Sequence, residues 1–285
     1  MAKRSKPSLL RKYGKKFEET FFRGTWARDL ARNTGFQQPP LIMNLSYDLG
    51  LEANGLKSVT VAFVSDMHSG KMTHPSVIRE AGRILRENEH DLLLLGGDYI
   101  FLSADEIGLV CESLMAVSPR LGKYGVLGNH DRWIDRGELT GILGEAGIKV
   151  LVNEEVGFGG DDGHISVYGL DDVEWGEPAF PGNRRRENPG VRILLSHSPE
   201  TLSFPECGNF DFALFGHTHA GQIAPPLGKP FLPFKDKYSK TFPYGLYDRK
   251  GRNRFLPVYV TSGIGCVWLP FRLFARPEVV FITFR

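Results

Sequence analysis

Short apolar segments alternate with helical segments between Val59 and Val152, and this alternation constrains the fold more than any other feature of the chain. The run DLLLLGG, residues 91–97, is continuously apolar and ends in glycines, which is typical of a strand buried on both faces. The segment PSVIREAGRILREN, residues 75–88, opens with proline and carries apolar residues near the helical period. Further strands at VTVAFVS, KYGVLG and IKVLV, with helices at ADEIGLVCESLMAV and GELTGILGEAG, predict consecutive βαβ units.

The pattern changes after Val152. The apolar segments that follow are strand-like but are separated mostly by loops: HISVYGLDD, VRILLSHSP, FDFALFGHTH, RFLPVYVTSG and EVVFITF. The stretch GFGGDDG, residues 157–163, is followed by neither a helix nor Gly-Lys-Ser/Thr, so we interpret it as a hairpin loop rather than a phosphate-binding loop. The second half of the chain is therefore predicted to form a second sheet with fewer helices.

Composition limits the class of protein. The chain has 285 residues, 41% hydrophobic and 24% charged, and a net charge of +2, as expected of a globular protein with no overall preference for nucleic acid. Its three cysteines are odd in number and contain no C-x-x-C pair, which argues against a disulfide framework or a zinc ribbon. No run reaches the roughly 20 apolar residues of a membrane span, and the N-terminus lacks the apolar stretch of a secretory signal. We therefore expect a cytoplasmic location.

Positive charge is concentrated at the N-terminus, where residues 1–34 hold ten Lys or Arg against three acidic residues. Within it, Leu10, Tyr13, Phe17 and Phe21 share one face of a predicted helix. Two interpretations stay open: the helix docks on its own domain, or it lies on an anionic membrane surface such as the inner face of the membrane. We divide the chain into a basic amphipathic helical extension (1–34), a linker and lead-in (35–58) and one α/β domain (59–285).

Five predicted strands each run into a polar cluster at their C-terminal end, which is the edge of an α/β sheet where ligands bind. The clusters are SDMH (Asp66, His68), GGDY (Asp98), GNHD (Asn129, His130, Asp131), SHSP (His197) and GHTH (His217, His219). Side chains two residues apart in an extended stretch point the same way, so Asp66 and His68 reach one ion together. Mixed carboxylate, imidazole and amide ligands suit Mn, Fe and Zn better than Mg alone. The clusters predict a site for two metal ions.

The ordered set D-x-H, G-D, G-N-H-D, an isolated His and G-H-T-H resembles the calcineurin-like metallophosphoesterase superfamily, from about Val59 to the C-terminus. The GHTHAGQ variant and the tail SGIGCVWLPFRLFARPEVVFITF are similar to the YkuE/YaeI-like phosphodiesterase branch and to the chlamydial-type UDP-2,3-diacylglucosamine hydrolase. This resemblance implies a four-layer α/β/β/α sandwich of two mixed sheets, here with an N-terminal helical extension. It also implies an enzyme that hydrolyses phosphoric esters with a dinuclear metal centre.

Position by position, the resemblance assigns one metal ion to Asp66, His68, Asp98 and His219. The second ion falls to Asp98, Asn129, His197 and His217, so that Asp98 bridges the pair. His130 would be the catalytic residue that contacts the phosphoryl group or protonates the leaving oxygen, and Asp131 would orient it. Mn²⁺ is the expected ion, although Fe, Zn and Ni also bind such ligands.

The implied reaction is hydrolysis of a phosphodiester or pyrophosphate by in-line attack of a metal-bridging hydroxide. A nucleotide-sugar or lipid-linked substrate such as UDP-2,3-diacylglucosamine is the first interpretation. A soluble phosphodiesterase for cyclic nucleotides or generic diesters is the second, and a non-catalytic scaffold on the same fold is the third. We interpret Asp171 and Asp172 as turn residues. The loop arginines 184–186 and the lysine-rich stretch 224–247 each have two open interpretations, a solvated surface loop or a segment that contacts the substrate. The oligomeric state is not determined by the sequence.

Overall fold

The computed structural model describes residues 24–51, 57–158, 164–181, 190–225, 230, 236–250 and 255–285. Within them, the α-helices are α1 (Trp26–Asn33), α2 (Pro75–Glu87), α3 (Ile107–Met115), α4 (Arg136–Glu145) and α5 (Lys237–Thr241). The first six strands are β1 (Leu41–Tyr47), β2 (Val59–Val64), β3 (Leu92–Leu95), β4 (Lys123–Gly125), β5 (Ile148–Val150) and β6 (Glu154–Phe158). The remaining six are β7 (His164–Gly169), β8 (Gly190–Leu195), β9 (Phe212–Phe215), β10 (Gly245–Lys250), β11 (Phe255–Val260) and β12 (Glu278–Phe284).

The strands form two mixed six-stranded sheets. Sheet I has the order β1-β12-β2-β3-β4-β5, and sheet II has the order β10-β11-β9-β8-β7-β6. In sheet I the strands β2 to β5 run parallel, as the βαβ pattern predicts, while β12 pairs with β2 antiparallel. In sheet II the strands β7, β8, β9 and β11 run parallel, and β6 and β10 close its edges antiparallel.

Period-two alternation along each strand explains how the layers separate. Val61 and Phe63 of β2 face sheet II, where they join a core with Ile193 and Leu214. Ala62 and Val64, the intervening residues of β2, lie in a second core beneath α2, α3 and α4. Both faces of these strands are buried, which is why their sequences are continuously apolar. The predicted α/β/β/α layering is confirmed.

The fourth layer is thinner than the first. It packs Leu194, Phe215 and Val258 of sheet II against two 3-10 turns, Pro199–Ser203 and Pro205–Asn209, and against the short helix α5. Prolines begin both turns. The loop-rich character predicted after Val152 is thus the character of this layer.

The segment 35–58, expected to be a linker and lead-in, contains β1. That strand lies parallel to β12 at the edge of sheet I, with Leu41 opposite Glu278 and Tyr47 opposite Phe284. Its residues alternate between half-buried and exposed, a weak signal beside the buried strands. Strand β1 was therefore not predicted from the sequence, and neither was β6, which forms the predicted hairpin with β7.

Part of the predicted N-terminal extension lies in α1; residues 1–23, including the stripe at Leu10, Tyr13, Phe17 and Phe21, lie outside the described residues. Helix α1 buries Ala27 and Ala31 and leaves Trp26 and Leu30 more than half exposed. Among the described residues no helix is both long and apolar enough to span a bilayer. The three cysteines are free and buried.

Candidate metal centre

The loops that follow five parallel strands converge where the two sheets face each other. Strands β2, β3 and β4 of sheet I and β8 and β9 of sheet II each contribute one loop. All seven predicted metal ligands lie on these loops, together with His130 and Asp131. The side chains are buried, except that the loop tips at Asn129 and His217 are partly exposed. The site therefore opens to solvent beside Asn129 and His217.

One group of potential ligand atoms comes from Asp66, His68 and His219. His68 Nε2 lies 3.0 Å from His219 Nε2, and His219 Nε2 lies 3.4 Å from Asp66 Oδ1. Ring nitrogens and a carboxylate oxygen that converge so closely offer their lone pairs to the same small volume. This arrangement fits a bound cation.

The second group contains Asp98, Asn129, His197 and His217. Asn129 Oδ1 is 3.0 Å from His197 Nε2 and 3.0 Å from His217 Nδ1, and the two ring nitrogens are 3.2 Å apart. The amide oxygen and the two imidazoles therefore converge as the ligand assignment predicts. The donor chemistry of both groups fits a borderline divalent metal.

Asp98 lies between the two groups. Its Oδ2 is 3.4 Å from His68 Nε2 in the first group and 3.3 Å from His197 Nε2 in the second. Its Oδ1 accepts a hydrogen bond from the backbone N–H of His130, 2.8 Å away, which fixes the carboxylate plane. One carboxylate is thus positioned to share two cations, as the bridging role requires.

The backbone at these loop tips is strained. Asp66, His68, Asp98, His217 and His219 all adopt positive φ values between 39° and 70°, where β-carbon contacts disfavour L-residues. Such conformations cost of order 1–3 kcal/mol each and persist where the surrounding structure fixes them. Here the fixing comes from pairing between the loops: the N–H of Asp66 donates to Gly97 O and that of His68 to Asp98 O.

Close approach of the loops depends on glycine at two positions. A β-carbon on Gly216 would collide with the side chains of Ser65 and Asp66, and one on Gly128 would collide with the Asp98 carboxylate. These glycines therefore allow the β9 and β4 loops to approach the two carboxylates.

The calcineurin-like phosphoesterase profile matches residues 59–221, and this match covers every ligand loop. The chain belongs to the calcineurin-like phosphoesterase family. It is 30% identical over 227 residues to phosphodiesterase YaeI of Escherichia coli (strain K12), covering 78% of this chain and 80% of that protein. It is 25% identical over 261 residues to the uncharacterized metallophosphoesterase YkuE of Bacillus subtilis (strain 168), covering 88% of each.

Other similarities extend over less of the matched proteins. The chain spans 60% of the length of metallophosphoesterase relatives from Helicobacter pylori and Campylobacter jejuni. Among solved structures, the NAD nucleotidase of Haemophilus influenzae aligns with a TM-score of 0.47 and 17% identity, covering 73% of this chain and 45% of that one. The family establishes this phosphoesterase as a metal-dependent hydrolase of phosphoric esters.

Hydrogen bonds to the Nδ1 atoms of two histidines, His197 and His130, fix the tautomers of their rings in the phosphoesterase. His197 Nδ1 lies 2.8 Å from Gly96 O, and His130 Nδ1 lies 2.9 Å from Phe101 O. A carbonyl oxygen only accepts, so both Nδ1 atoms carry the proton and both Nε2 atoms are directed to other partners. A metal-binding imidazole is normally held in this way.

Burial and charge also set the protonation of the site. Desolvation lowers the pKa of His217 to about 4 and the pKa values of His68 and His219 below the usual range, so these rings are neutral at pH 7. For His197 desolvation acts in the same direction, but the Asp98 carboxylate raises the pKa of this ring well above its usual value. In the ion-free protein His197 is thus the counter-charge of Asp98.

Asp131 does not have the predicted role of orienting His130. Its Oδ2 accepts the backbone N–H groups of Asp98 (2.7 Å) and Gly128 (2.9 Å), and its Oδ1 accepts that of Tyr99 (2.8 Å). The His130 ring is oriented instead by the Phe101 carbonyl. Asp131 is therefore a positioning residue that ties the β4 loop to the loop carrying Asp98. Burial raises its pKa to about 8, while the N–H groups of Gly128 and Tyr99 lower it.

The C-terminal loop before β12 contributes two residues that the sequence analysis missed. Arg272, which is buried, donates from Nη2 to His219 Nδ1 at 3.0 Å. Trp268 lies against His130, with ring centroids 6.2 Å apart, and is 45% exposed at the mouth of the site. Gln222, just after the GHTH cluster, holds this loop through Leu269 O and Phe271 O. Arg272 and Trp268 lie far in sequence from the ligand motifs, so the motifs gave no indication of either residue.

Proposed function

We propose that this phosphoesterase hydrolyses a phosphodiester or pyrophosphate with two Mn²⁺ ions bound at the ligands above. The observation that carries the proposal is the position of Asp98 Oδ2, 3.4 Å from His68 Nε2 and 3.3 Å from His197 Nε2. Two divalent ions, when bound, supply Lewis-acid activation of water and neutralise charge on the phosphoryl oxygens. The residues of the chain hold the ions in place and protonate the leaving group.

His130 is the proposed general acid. Its Nδ1–H is donated to Phe101 O, so the proton passed to a leaving oxygen comes from Nε2–H, and the step requires the doubly protonated ring and leaves it neutral. Phe101 stacks on the His130 ring with centroids 5.5 Å apart, and Trp268 contacts both rings at their edges. This aromatic enclosure keeps the imidazole in one orientation and shields it from bulk water. Asn129 and His217, at the open side, border the volume that a phosphoryl group enters.

The proposed substrate is lipid-linked or a nucleotide-sugar such as UDP-2,3-diacylglucosamine. Exposed apolar side chains on α1 and on the loop before β12 support the lipid-linked form: Trp26 is 55%, Leu30 54% and Phe274 65% exposed. Because residues 1–34 also carry seven net positive charges, counted as ten Lys or Arg minus three acids, we propose peripheral binding to the anionic inner face of the membrane from the cytoplasm.

Turnover assays test the proposal directly. Bis(p-nitrophenyl) phosphate, p-nitrophenyl phosphate and UDP-2,3-diacylglucosamine are offered to the full chain with Mn²⁺ and again after exhaustive chelation. Hydrolysis of the diester that disappears on chelation and returns with Mn²⁺ is expected. Full activity in the metal-stripped protein would contradict the proposal.

Vesicle binding distinguishes the two enzyme interpretations. Co-sedimentation with phosphatidylglycerol vesicles is compared for the full chain and the Trp26→Ala, Leu30→Ala double variant. Met115→Ala is the control, because Met115 is 59% exposed on a different helix, α3. Loss of binding in the double variant alone supports the lipid-linked substrate. If the full chain does not sediment, the soluble phosphodiesterase for cyclic nucleotides or generic diesters is favoured. The scaffold alternative is disfavoured because all seven ligand positions hold ligand-type side chains.

A further inference from the structure

The turn that carries the proposed general acid is held from both sheets. The 3-10 turn Asp131–Trp133 begins directly after His130, and Asp131 ties it to the β3 loop of sheet I. The next residue, Arg132, donates from Nη2 to Asp171 Oδ1 at 2.7 Å and from Nη1 to a backbone carbonyl of the same loop. That loop follows β7 of sheet II and supplies none of the proposed metal ligands.

The Asp171 carboxylate is buried, and both of its oxygens have partners. Besides Arg132, Oδ1 accepts the N–H of Asp172 at 2.9 Å. Oδ2 accepts the N–H of Glu177 and a hydrogen bond from Arg136 Nη2, both at 3.0 Å. Burial alone would raise the pKa of Asp171, but the Glu177 N–H and the two guanidinium groups lower it below its usual value, so the carboxylate is ionised at pH 7. Charge-assisted bonds of this kind fix the geometry of both partners.

The two neighbouring aspartates of this loop have different roles, although the sequence indicates turn residues for both. Asp172 Oδ1 accepts the N–H groups of Glu174 (3.1 Å) and Trp175 (2.7 Å), as a turn residue does. Asp171 directs its carboxylate to Arg132, so its role extends beyond the turn.

The β7 loop holds Asp171 in one place. Asn153 Oδ1 accepts the N–H groups of Asp171 and Ala179, both at 3.0 Å, and so fixes the loop at two points. A β-carbon on Gly176 would lie 2.7 Å from the carboxylate carbon of Asp171 and 2.8 Å from Arg132 Nη2. The chain therefore passes close to this ion pair, and glycine allows that approach.

The catalytic turn needs an external tether because its own hydrogen bonds are long. The N–H of Trp133 lies 3.3 Å from His130 O, and that of Ile134 lies 3.4 Å from Asp131 O. The N–H side of His130 is fixed by Asp98 Oδ1, and the side that enters the turn is fixed through the two residues after it. Proton transfer is sensitive to such placement: a shift of about 1 Å can cost about 10²-fold in rate.

The ligand part of the same loop has separate support. The N–H groups of Gly128 and His130, on either side of Asn129, donate to Asp131 Oδ2 and Asp98 Oδ1. These bonds hold the Asn129 ligand without a contribution from the β7 loop. Loss of the tether should therefore affect the general acid and spare the metal ions.

We propose that Asp171 is a positioning residue for proton transfer, which acts through Arg132 to hold the turn of His130 where Nε2–H reaches the leaving oxygen. The inference rests on the proposed function and adds a sixth loop to its machinery. Asp171 contacts neither the substrate nor an ion; it sets the position of the group that protonates the leaving oxygen as the P–O bond breaks.

Two diesters that differ only in the leaving group test the inference. Methyl phenyl phosphate and methyl p-nitrophenyl phosphate share the methyl ester, and phenolate is the more basic leaving group. With Mn²⁺, Asp171→Asn should lower kcat about 10- to 100-fold on the phenyl ester and less than about threefold on the nitrophenyl ester. KM should change less than about twofold, and mass spectrometry should still find two ions per chain.

A second variant and a matched control accompany this measurement. Arg132→Lys keeps the charge but cannot reach the carboxylate and the carbonyl together, so it should show the same dependence on the leaving group even where Asp171→Asn fails to fold. Asp91→Asn is the control. Asp91 accepts from Arg120 Nη2 (3.1 Å) and from the N–H of Thr60 (2.8 Å), the same kinds of partner, but it precedes β3 at the end of the strand opposite the ligand loop. It should leave the ratio of the two kcat values unchanged.

A double variant tests whether Asp171 acts through His130. In the His130→Gln background, Asp171→Asn should change kcat on methyl phenyl phosphate less than about twofold, because the group that it positions is already absent. Multiplied losses in the double variant would overturn the inference, as would equal losses on the two esters or the loss of an ion in Asp171→Asn.

The unsubstituted chain separates this inference from the proposed function. If the chain hydrolyses both esters with Mn²⁺ and Asp171→Asn behaves like it, the positioning role is wrong and the proposed function stands. If the chain hydrolyses neither ester nor bis(p-nitrophenyl) phosphate, the proposed function is wrong, and the positioning role is wrong with it.

Discussion

Arg272 Nη2 lies 3.0 Å from Nδ1 of His219, the proposed metal ligand whose Nε2 faces Asp66 and His68. Because a guanidinium only donates, Nδ1 of His219 accepts, which fixes the ring orientation from outside the metal site and leaves the proton of the neutral ring on Nε2 until an ion displaces it. Arg272 is itself held by the carbonyls of Ser262, Gly265 and Ala275. The C-terminal loop thus positions a ligand that lies 53 residues earlier in the chain.

Substitution Arg272→Lys should loosen His219. Lysine keeps the charge but has no planar fork to reach the ring and the carbonyls together. Because the Arg272 hydrogen bond keeps the His219 proton on Nε2, where an ion must bind, we expect its weakening to raise the affinity for one of two Mn²⁺ ions by about tenfold. Calorimetric titration with Mn²⁺ measures it. Arg276→Lys, whose side chain donates only to Pro39 O at the surface, is the control. Equal affinities in the three proteins would contradict the positioning role.

Substitution Asp98→Asn should remove both ions, because the same carboxylate oxygen lies between the two ligand groups. The amide is isosteric but neutral, and one of its two polar atoms only donates. Metal content by mass spectrometry should fall from two ions per chain toward none, with activity lost in parallel. Asp171→Asn is the control, because Asp171 is not one of the proposed metal ligands. Two bound ions in Asp98→Asn would rule out bridging.

Substitution His130→Gln should separate metal binding from turnover. The ring contacts Phe101 and Trp268 and donates to Phe101 O, and it is not among the proposed ligands. We expect two ions to remain bound while kcat falls by about 10²–10⁴-fold on poor leaving groups. The loss should be smaller for p-nitrophenolate, which leaves without protonation. A uniform loss across leaving groups would argue against the general-acid role.

Metal affinity should rise with pH in the neutral range. Asp98 raises the pKa of His197 well above its usual value, so the ion-free protein holds a proton there that a metal must displace. Below that raised pKa, the affinity for Mn²⁺ should increase about tenfold per pH unit for each proton displaced. Titration at pH 6 and pH 8, in two buffers of different ionisation enthalpy, counts the protons. No release at either pH would show that His197 is neutral in the ion-free protein.

Substitution Gly216→Ala adds only one methyl group, yet it should disturb the geometry of the metal centre. A β-carbon there meets the side chains of Ser65 and Asp66, so the β9 loop must shift away from the carboxylate. We expect weaker Mn²⁺ binding and a loss of stability of about 1–3 kcal/mol, as for other overpacked positions. Gly108→Ala is the matched control: nothing lies within 4 Å of its β-carbon, and it lies in α3, so a gain of up to about 1 kcal/mol is expected.

The parts of the fold that could be predicted are those with strong local periodicity. Strands β2 and β3 are apolar on both faces, and α2 begins at Pro75 with His74 capping it, so their identity is encoded locally. Strands β1 and β6 are edge strands with half-exposed residues, and their pairing depends on partners distant in sequence. The ligand loops could be located because an apolar strand that ends in Asp, Asn or His can be recognised in the sequence.

The sequence by itself determined which side chains end the five strands and, through the family motif, that they are candidate metal ligands. Only the tertiary structure decided what surrounds them: that Asp131 binds the loop of Asp98 rather than the ring of His130, and that Arg272 holds His219. The physical reason is the sequence separation between the residues that make these contacts. Periodicity and motif spacing report on neighbours along the chain, whereas these contacts join loops from different strands, and only the packing of the two sheets brings those loops together.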